Sequence, residues 1–146
     1  FGVSNFLPST FSLLQAVLPM PLVVNQVEIH LKRLSCFFDG TLDQCLMEGV
    51  TPLAWSPLAG GSISDEKTAP GDEQLVKVLD EVAKEVGEKR TTVALAWLMK
   101  HPSGIVPIVG TVRPERIRES VRANDVELSR EQWYRLLVAA RGEPMP

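Results

Sequence analysis

Four short stretches hold the side chains best suited to chemistry. Ser4-Asn5 places a hydroxyl beside an amide directly after the apolar run Phe1-Gly2-Val3, and Gln26 sets a second amide inside the run Leu22 to Ile29. Each amide carries a donor and an acceptor on one rigid group. Trp55 ends the run Leu53-Ala54-Trp55 with a ring broad enough to stack on a planar ligand. The loop Ser56-Pro57-Leu58-Ala59-Gly60-Gly61 follows, with small residues that let a ligand approach the backbone. Gly110-Thr111-Val112-Arg113-Pro114-Glu115-Arg116 then sets two arginines at a turn into a helix, where unpaired backbone N–H groups favour anions. Each stretch also has an ordinary reading. Asn5 fits a turn, Gln26 a hydrogen-bonded polar group in a sheet, Trp55 a core indole, Gly60-Gly61 a solvated loop, and Arg113, Arg116 and Arg118 a solvated helix face.

The remaining reactive side chains are sparse. His30 and His101 stand apart and read as structural. The single tyrosine, Tyr134, adjoins Trp133 in what reads as the last helix. Cys36 and Cys45 have no companion pair to complete a zinc site, so no metal is expected, and two isolated cysteines fit a reduced, cytoplasmic protein. The chain has 146 residues, 45% hydrophobic and 23% charged, with net charge −3, which suits one soluble domain and gives no basic surface for nucleic acid or membrane. The longest nearly apolar stretch, Leu13 to Val24, is interrupted by Gln15, Pro19 and Pro21 and is too short to span a bilayer. No signal peptide is visible.

The elements that must position these residues follow one pattern. A helix with apolar positions Phe11, Leu14 and Val17 or Leu18 is expected to run to Pro19, and Leu22 to Ile29 reads as a strand buried on both faces. A second helix carries Leu42 and Leu46 and stops at Gly49. Polar Asp65 to Asp72 reads as mobile. Leu75, Val76, Leu79, Val82, Ala83 and Val86 form one apolar helical stripe ending at Gly87, and a further helix covers about Thr92 to Lys100. Ile105 to Val109 is a fourth strand, Pro114 starts the next helix, and Ser129 with Gln132 forms a capping box for the last. Strands are expected near Gly2–Val3, Val23–Ile29, Pro52–Trp55 and Val106–Val109, with helices on one side. Four strand–loop–helix repeats imply parallel strands and right-handed crossovers. Periodicity leaves two architectures open, a small open α/β sheet and half of an eight-stranded barrel.

Gly2-Val3-Ser4-Asn5-Phe6, Asn25-Gln26-Val27-Glu28-Ile29, Ala54-Trp55-Ser56-Pro57-Leu58 and Gly110-Thr111-Val112-Arg113-Pro114-Glu115-Arg116-Ile117 together resemble consecutive signatures of the aldo/keto reductase family, in that family's order. The resemblance spans nearly the whole chain. It implies the C-terminal half of a (β/α)8 TIM barrel: residues 1–146 as a single partial domain, with four parallel strands, outer helices and a C-terminal helix. It implies NADP(H) as cofactor. Ser4, Asn5 and Gln26 match the family's contacts to the nicotinamide carboxamide, and Trp55 its stacking ring. Ser56, Pro57, Leu58, Gly60 and Gly61 match the loop around the pyrophosphate. Gly110, Thr111, Arg113 and Arg116 match the 2′-phosphate site, with Gly110 where many members have Lys. Glu119 matches the adenine contact, and Ser120 stands where Asn is common.

The reaction so implied is NADPH-dependent reduction of an aldehyde or ketone. The family's catalytic Asp, Tyr, Lys and His come from earlier strands, so no catalytic residue is expected here and the chain alone is expected to be inactive. The chain begins at Phe1 rather than Met, which suggests a missing beginning. A half-barrel is expected to pair with an N-terminal half or with a second copy, because its edge strands lack partners. The alternative is a truncated or regulatory module that binds a nucleotide or a partner without catalysis.

Overall fold

The structure is a computed structural model that describes residues 1–64 and 68–145. Four strands, β1 (Gly2–Ser4), β2 (Val24–Glu28), β3 (Thr51–Trp55) and β4 (Val106–Pro107), alternate with helices. The helices are α1 (Pro8–Gln15), α2 (Thr41–Glu48), α3 (Glu73–Val86), α4 (Arg90–Met99), α5 (Pro114–Val121) and α6 (Arg130–Arg141). All four strands are parallel, in the order β1-β2-β3-β4. Each crossover therefore advances the sheet by one strand in the same direction. Right-handed crossovers that never reverse put their helices on one face, as in a barrel; a doubly wound sheet reverses its order.

The open face corrects one expectation. Leu22 to Ile29 does not form a strand buried on both sides: Asn25 and Val27 are buried against the helices, whereas Val24, Gln26 and Glu28 are half-buried. β3 repeats the alternation, with Pro52 and Ala54 buried and Thr51, Leu53 and Trp55 half-buried. No described element lies over the second face, so it meets solvent. The register places Ser4, Gln26, Leu53 and Val106 in one row across that face, and Glu28 beside Trp55 in the next. β4 is shorter than expected because Pro107 has no N–H to donate, although the Ile108 N–H still reaches Ala54 O at 2.9 Å.

On the helix side, α3 buries Leu75, Val76, Leu79, Val82 and Ala83, as its stripe requires. α4 starts at Arg90, earlier than expected, because Arg90 makes a two-pronged pair with Asp80 on α3, at 2.8 Å for each bond. It then buries every residue from Thr92 to Leu98. Trp97 stacks on Trp133 with centroids 5.2 Å apart, and each indole N–H donates to the other residue's carbonyl at 3.0 Å. That reciprocal pair fastens α6 to α4. Ser129 and Gln132 form the expected capping box at the start of α6.

α1 stops at Gln15, well before Pro19. The Gln15 amide organises the chain that follows, donating to Met20 O at 3.1 Å and accepting from the Leu22 N–H at 2.7 Å. Of the stretch Asp65 to Asp72, residues 65–67 lie outside the described residues; its end is fixed, with Asp72 buried and paired to Lys32 at 2.7 Å. No helix among the described residues is long and apolar enough to cross a membrane.

Candidate functional site at the strand ends

Parallel strands deliver their C-terminal ends to one side; Ser4, Asn5, Trp55 and the loops after β3 and β4 lie there, whereas Gln26 is in the middle of β2 and Glu119 in the second turn of α5. β1 ends at Ser4, and Asn5 turns the chain with φ 57°, a left-handed conformation that Asn tolerates better than most residues. The Asn5 N–H donates to Gln26 O at 2.8 Å, and the Ser4 hydroxyl donates to the same oxygen at 3.0 Å. The Trp55 indole N–H donates to Asn5 Oδ1 at 3.0 Å, across 50 residues of sequence. Asn5 and Trp55 thus come together from two strand ends, with the middle of β2 joined to them through the Gln26 backbone carbonyl.

That bond sorts the chemistry of Asn5. With Oδ1 occupied by Trp55, the amide presents its Nδ2 hydrogens, which have no partner among the described residues. Gln26 lies on the open face in the row between Ser4 and Leu53, and its side-chain amide is likewise unpartnered among the described residues. A carboxamide ligand needs one donor and one acceptor opposite it, and the Asn5 Nδ2 hydrogens together with the Gln26 amide can supply both.

After β3 the backbone is wound into tight turns. Ser56 and Ala59 have positive φ of 54° and 51°, costly for residues with a side chain, and Gly60 and Gly61 follow at 63° and 89°. Ser56 Oγ accepts from the Gly60 N–H at 3.1 Å and so braces the loop from within. The two glycines are required by this conformation. The N–H groups of Ala59, Gly61 and Ser62 donate to Ser56 O, Leu58 O and Ala59 O at 2.8, 2.9 and 3.2 Å, so the loop is held by its own bonds and offers a small-residue surface that a ligand can approach closely.

After β4, the hydroxyl of Thr111 accepts from the Arg113 N–H at 3.2 Å, shaping the entry to α5. Arg113 is its N-cap, Pro114 opens the first turn, and Arg116 lies in that turn. Gly110 does not have positive φ, and a Cβ there would meet nothing within 4 Å, so the fold does not require glycine. Glu119 is in an ion pair with Lys89, the residue that precedes α4. Sequence reasoning did not single out Lys89; only the fold brings it beside α5.

The two histidines are held structurally. His30 Nδ1 accepts from the Lys32 N–H at 3.1 Å, so Nε2 carries the proton toward Glu28 at 3.3 Å; burial lowers its pKa below the usual value. His101 bonds Ser103 at 2.8 Å, sits edge-on to Phe37, and is also lowered by burial. Tyr134 lies on α6, packed edge-on against Trp133 with the Arg130 guanidinium 5.7 Å from its ring centre. Cys36 and Cys45 are buried free thiols, each pushed up to about 11 by burial. Among the described residues no group of three or more His, Cys, Asp or Glu is placed to hold a metal ion. Asn25 and Lys32 were also missed. Asn25 holds the Phe6 backbone from behind the sheet, and Lys32 joins Ser62 at 3.2 Å and Asp72 at 2.7 Å.

Comparison with known proteins agrees with this geometry. The profile of the aldo/keto reductase family matches residues 1–139. The chain is 46% identical to 6-dehydroglucose reductase of Novosphingobium aromaticivorans over 145 residues, covering 99% of this chain and 47% of that protein. It is 41% identical to oxidoreductase YdhF of Escherichia coli, covering 100% of this chain and 48% of that protein. A thermostable aldo-keto reductase crystallised with the inhibitor epalrestat superposes with a TM-score of 0.83 at 30% identity, over 94% of this chain and 47% of its own. The chain thus spans about half the length of the relatives it matches, on their C-terminal side. With its sheet order, its strand-end cluster and this run of similarity taken together, the chain belongs to the aldo/keto reductase family.

Proposed function

We propose that the strand ends hold NADP(H) in a protein that reduces aldehydes or ketones to alcohols, and that this chain supplies the cofactor side of the site. The observation that carries the reading is the Asn5–Trp55–Gln26 cluster: the Trp55 indole is locked to Asn5 Oδ1, while Asn5 Nδ2 and the Gln26 side-chain amide have no partner among the described residues. Those residues fit a nicotinamide. Asn5 Nδ2 donates to the carboxamide oxygen, Gln26 accepts from its nitrogen, and Trp55 offers a ring face for stacking. Ser4 contributes as an acceptor, since its own hydrogen is given to Gln26 O. The wound loop Ser56–Gly61 takes the pyrophosphate, while Thr111, Arg113 and Arg116 at the start of α5 take a 2′-phosphate. Glu119 reaches the adenine only by leaving Lys89 or sharing it. The reduced nicotinamide supplies hydride to the carbonyl carbon.

In this reading residues 1–146 are a partial domain equivalent to strands five to eight of a cytoplasmic enzyme, and a preceding half-barrel brings the proton donor. Tyr134, packed on an outer helix, does not serve that role. The same observation supports a second reading, a nucleotide-binding module without catalysis. Steady-state assays separate the two. The full-length protein is expected to consume NADPH with an aromatic aldehyde, while residues 1–146 alone do not. Cofactor binding by the full-length protein without turnover of any carbonyl compound would favour the module, and failure to bind NADP(H) at all would end both.

A further inference from the structure

We propose that Asn25, on the helix side of β2, is a positioning residue that sets the Asn5 amide for the ligand. It rests on the nicotinamide reading above. Asn25 is 1% exposed, in a strand otherwise dominated by apolar or half-buried residues. A buried amide is tolerated only where its polar atoms are bonded. Both ends of this one are spent on a single backbone residue: Nδ2 donates to Phe6 O at 2.8 Å, and Oδ1 accepts from the Phe6 N–H at 3.4 Å.

The place of that grip gives it meaning. Asn5 has φ 57°. The peptide before it is pinned by its own N–H on Gln26 O at 2.8 Å, and the peptide after it carries the Phe6 N–H that Asn25 holds. Consecutive residues of β2 therefore fix the two peptide planes that flank Asn5. A left-handed residue persists where its surroundings over-determine it. Asn25 works with its side chain from the buried face and Gln26 with its backbone carbonyl in the plane of the sheet, and between them Asn5 Oδ1 is left in reach of the Trp55 N–H. Removing the Asn25 amide releases the second peptide plane, so the Asn5 side chain loses its fixed direction while the loop after β3 and the start of α5 keep theirs.

The test compares two ligands on the full-length protein by calorimetric titration: NADP+, and 2′-phospho-ADP-ribose, which lacks the nicotinamide. Asn25→Leu, similar in volume, is expected to weaken NADP+ roughly ten-fold, the size of one or two lost hydrogen bonds, and to leave 2′-phospho-ADP-ribose within a factor of about two. Asn5→Ala should show the same selectivity, and the double variant should lose little more than either alone. If Asn25→Leu does not fold, Asn25→Asp, which keeps the acceptor but as a carboxylate cannot donate to Phe6 O, is read the same way. Equal losses for the two ligands, no loss for either, or fully additive effects in the double variant would overturn the proposal. Failure of the unmodified protein to bind NADP+ while it binds the truncated ligand, or to bind either, would strike the nicotinamide reading itself and this inference with it.

Discussion

In the proposed site Trp55 has two separable duties, and they differ in energy. Its ring offers stacking area, and its N–H orients Asn5 through a bond of 3.0 Å. Trp55→Phe keeps an aromatic face and loses the bond, so NADP+ binding by the full-length protein should weaken about two- to ten-fold. Trp55→Ala also loses the ring and should weaken it further. Equal affinities for the Phe variant and the parent would show that the bond orients nothing. In the proposed site Arg116 would carry the choice between cofactors. Arg116→Ala should erase roughly ten-fold or more of a preference for NADPH over NADH, measured as the ratio of the two dissociation constants. A substitution that weakens both alike would make Arg116 an ordinary helix residue. The buried histidines bear on stability. Burial lowers both His30 and His101, so the folded state favours their neutral forms; their contribution is complete above the unfolded value of 6.5 and is lost as pH falls below it. Urea midpoints should therefore drop on acidification through that range, and less so in a His101→Gln variant.

Among the elements, α4 carries the most weight, being buried from Thr92 to Leu98 and bonded to α6 through the two indoles. Trp133→Phe retains stacking and removes one N–H donor, at a cost of about 1 kcal/mol in denaturant unfolding. Trp97→Ala opens a cavity in the core and should cost about 3–5 kcal/mol, enough to unfold a marginal domain. Element type was readable where periodicity is strong, as in α3, and where local chemistry is explicit, as in the Ser129–Gln132 capping box. The face of β2 was not readable. An apolar, β-branched run fits a strand covered on both sides, and what lies over its second face is not encoded in its own residues. The residue types of the proposed site were readable in the sequence, whereas the Trp55–Asn5 bond, the Asn25 grip and the Lys89–Glu119 pair join positions 19 to 50 residues apart and exist only once the strands are in register.

At the scale of the molecule, β1 and β4 each have one edge unpaired among the described residues, and the row of exposed Ser4, half-buried Gln26 and Leu53 and exposed Val106 lies on a face that no described element covers. Unpaired edges and apolar faces associate. Residues 1–146 on their own should therefore sediment with concentration-dependent mass, and Val106→Lys should reduce it; a folded monomer at every concentration would show that the open face is stable in water. We propose that these strand ends form one half of a nicotinamide site. The most direct test is a crystal structure of the full-length protein with NADP+. The carboxamide is expected within hydrogen-bond distance of Asn5 and Gln26, the ring stacked on Trp55, and the 2′-phosphate at the start of α5 beside Arg116. A nucleotide bound elsewhere, or bound there with its nicotinamide away from Asn5 and Gln26, would contradict it.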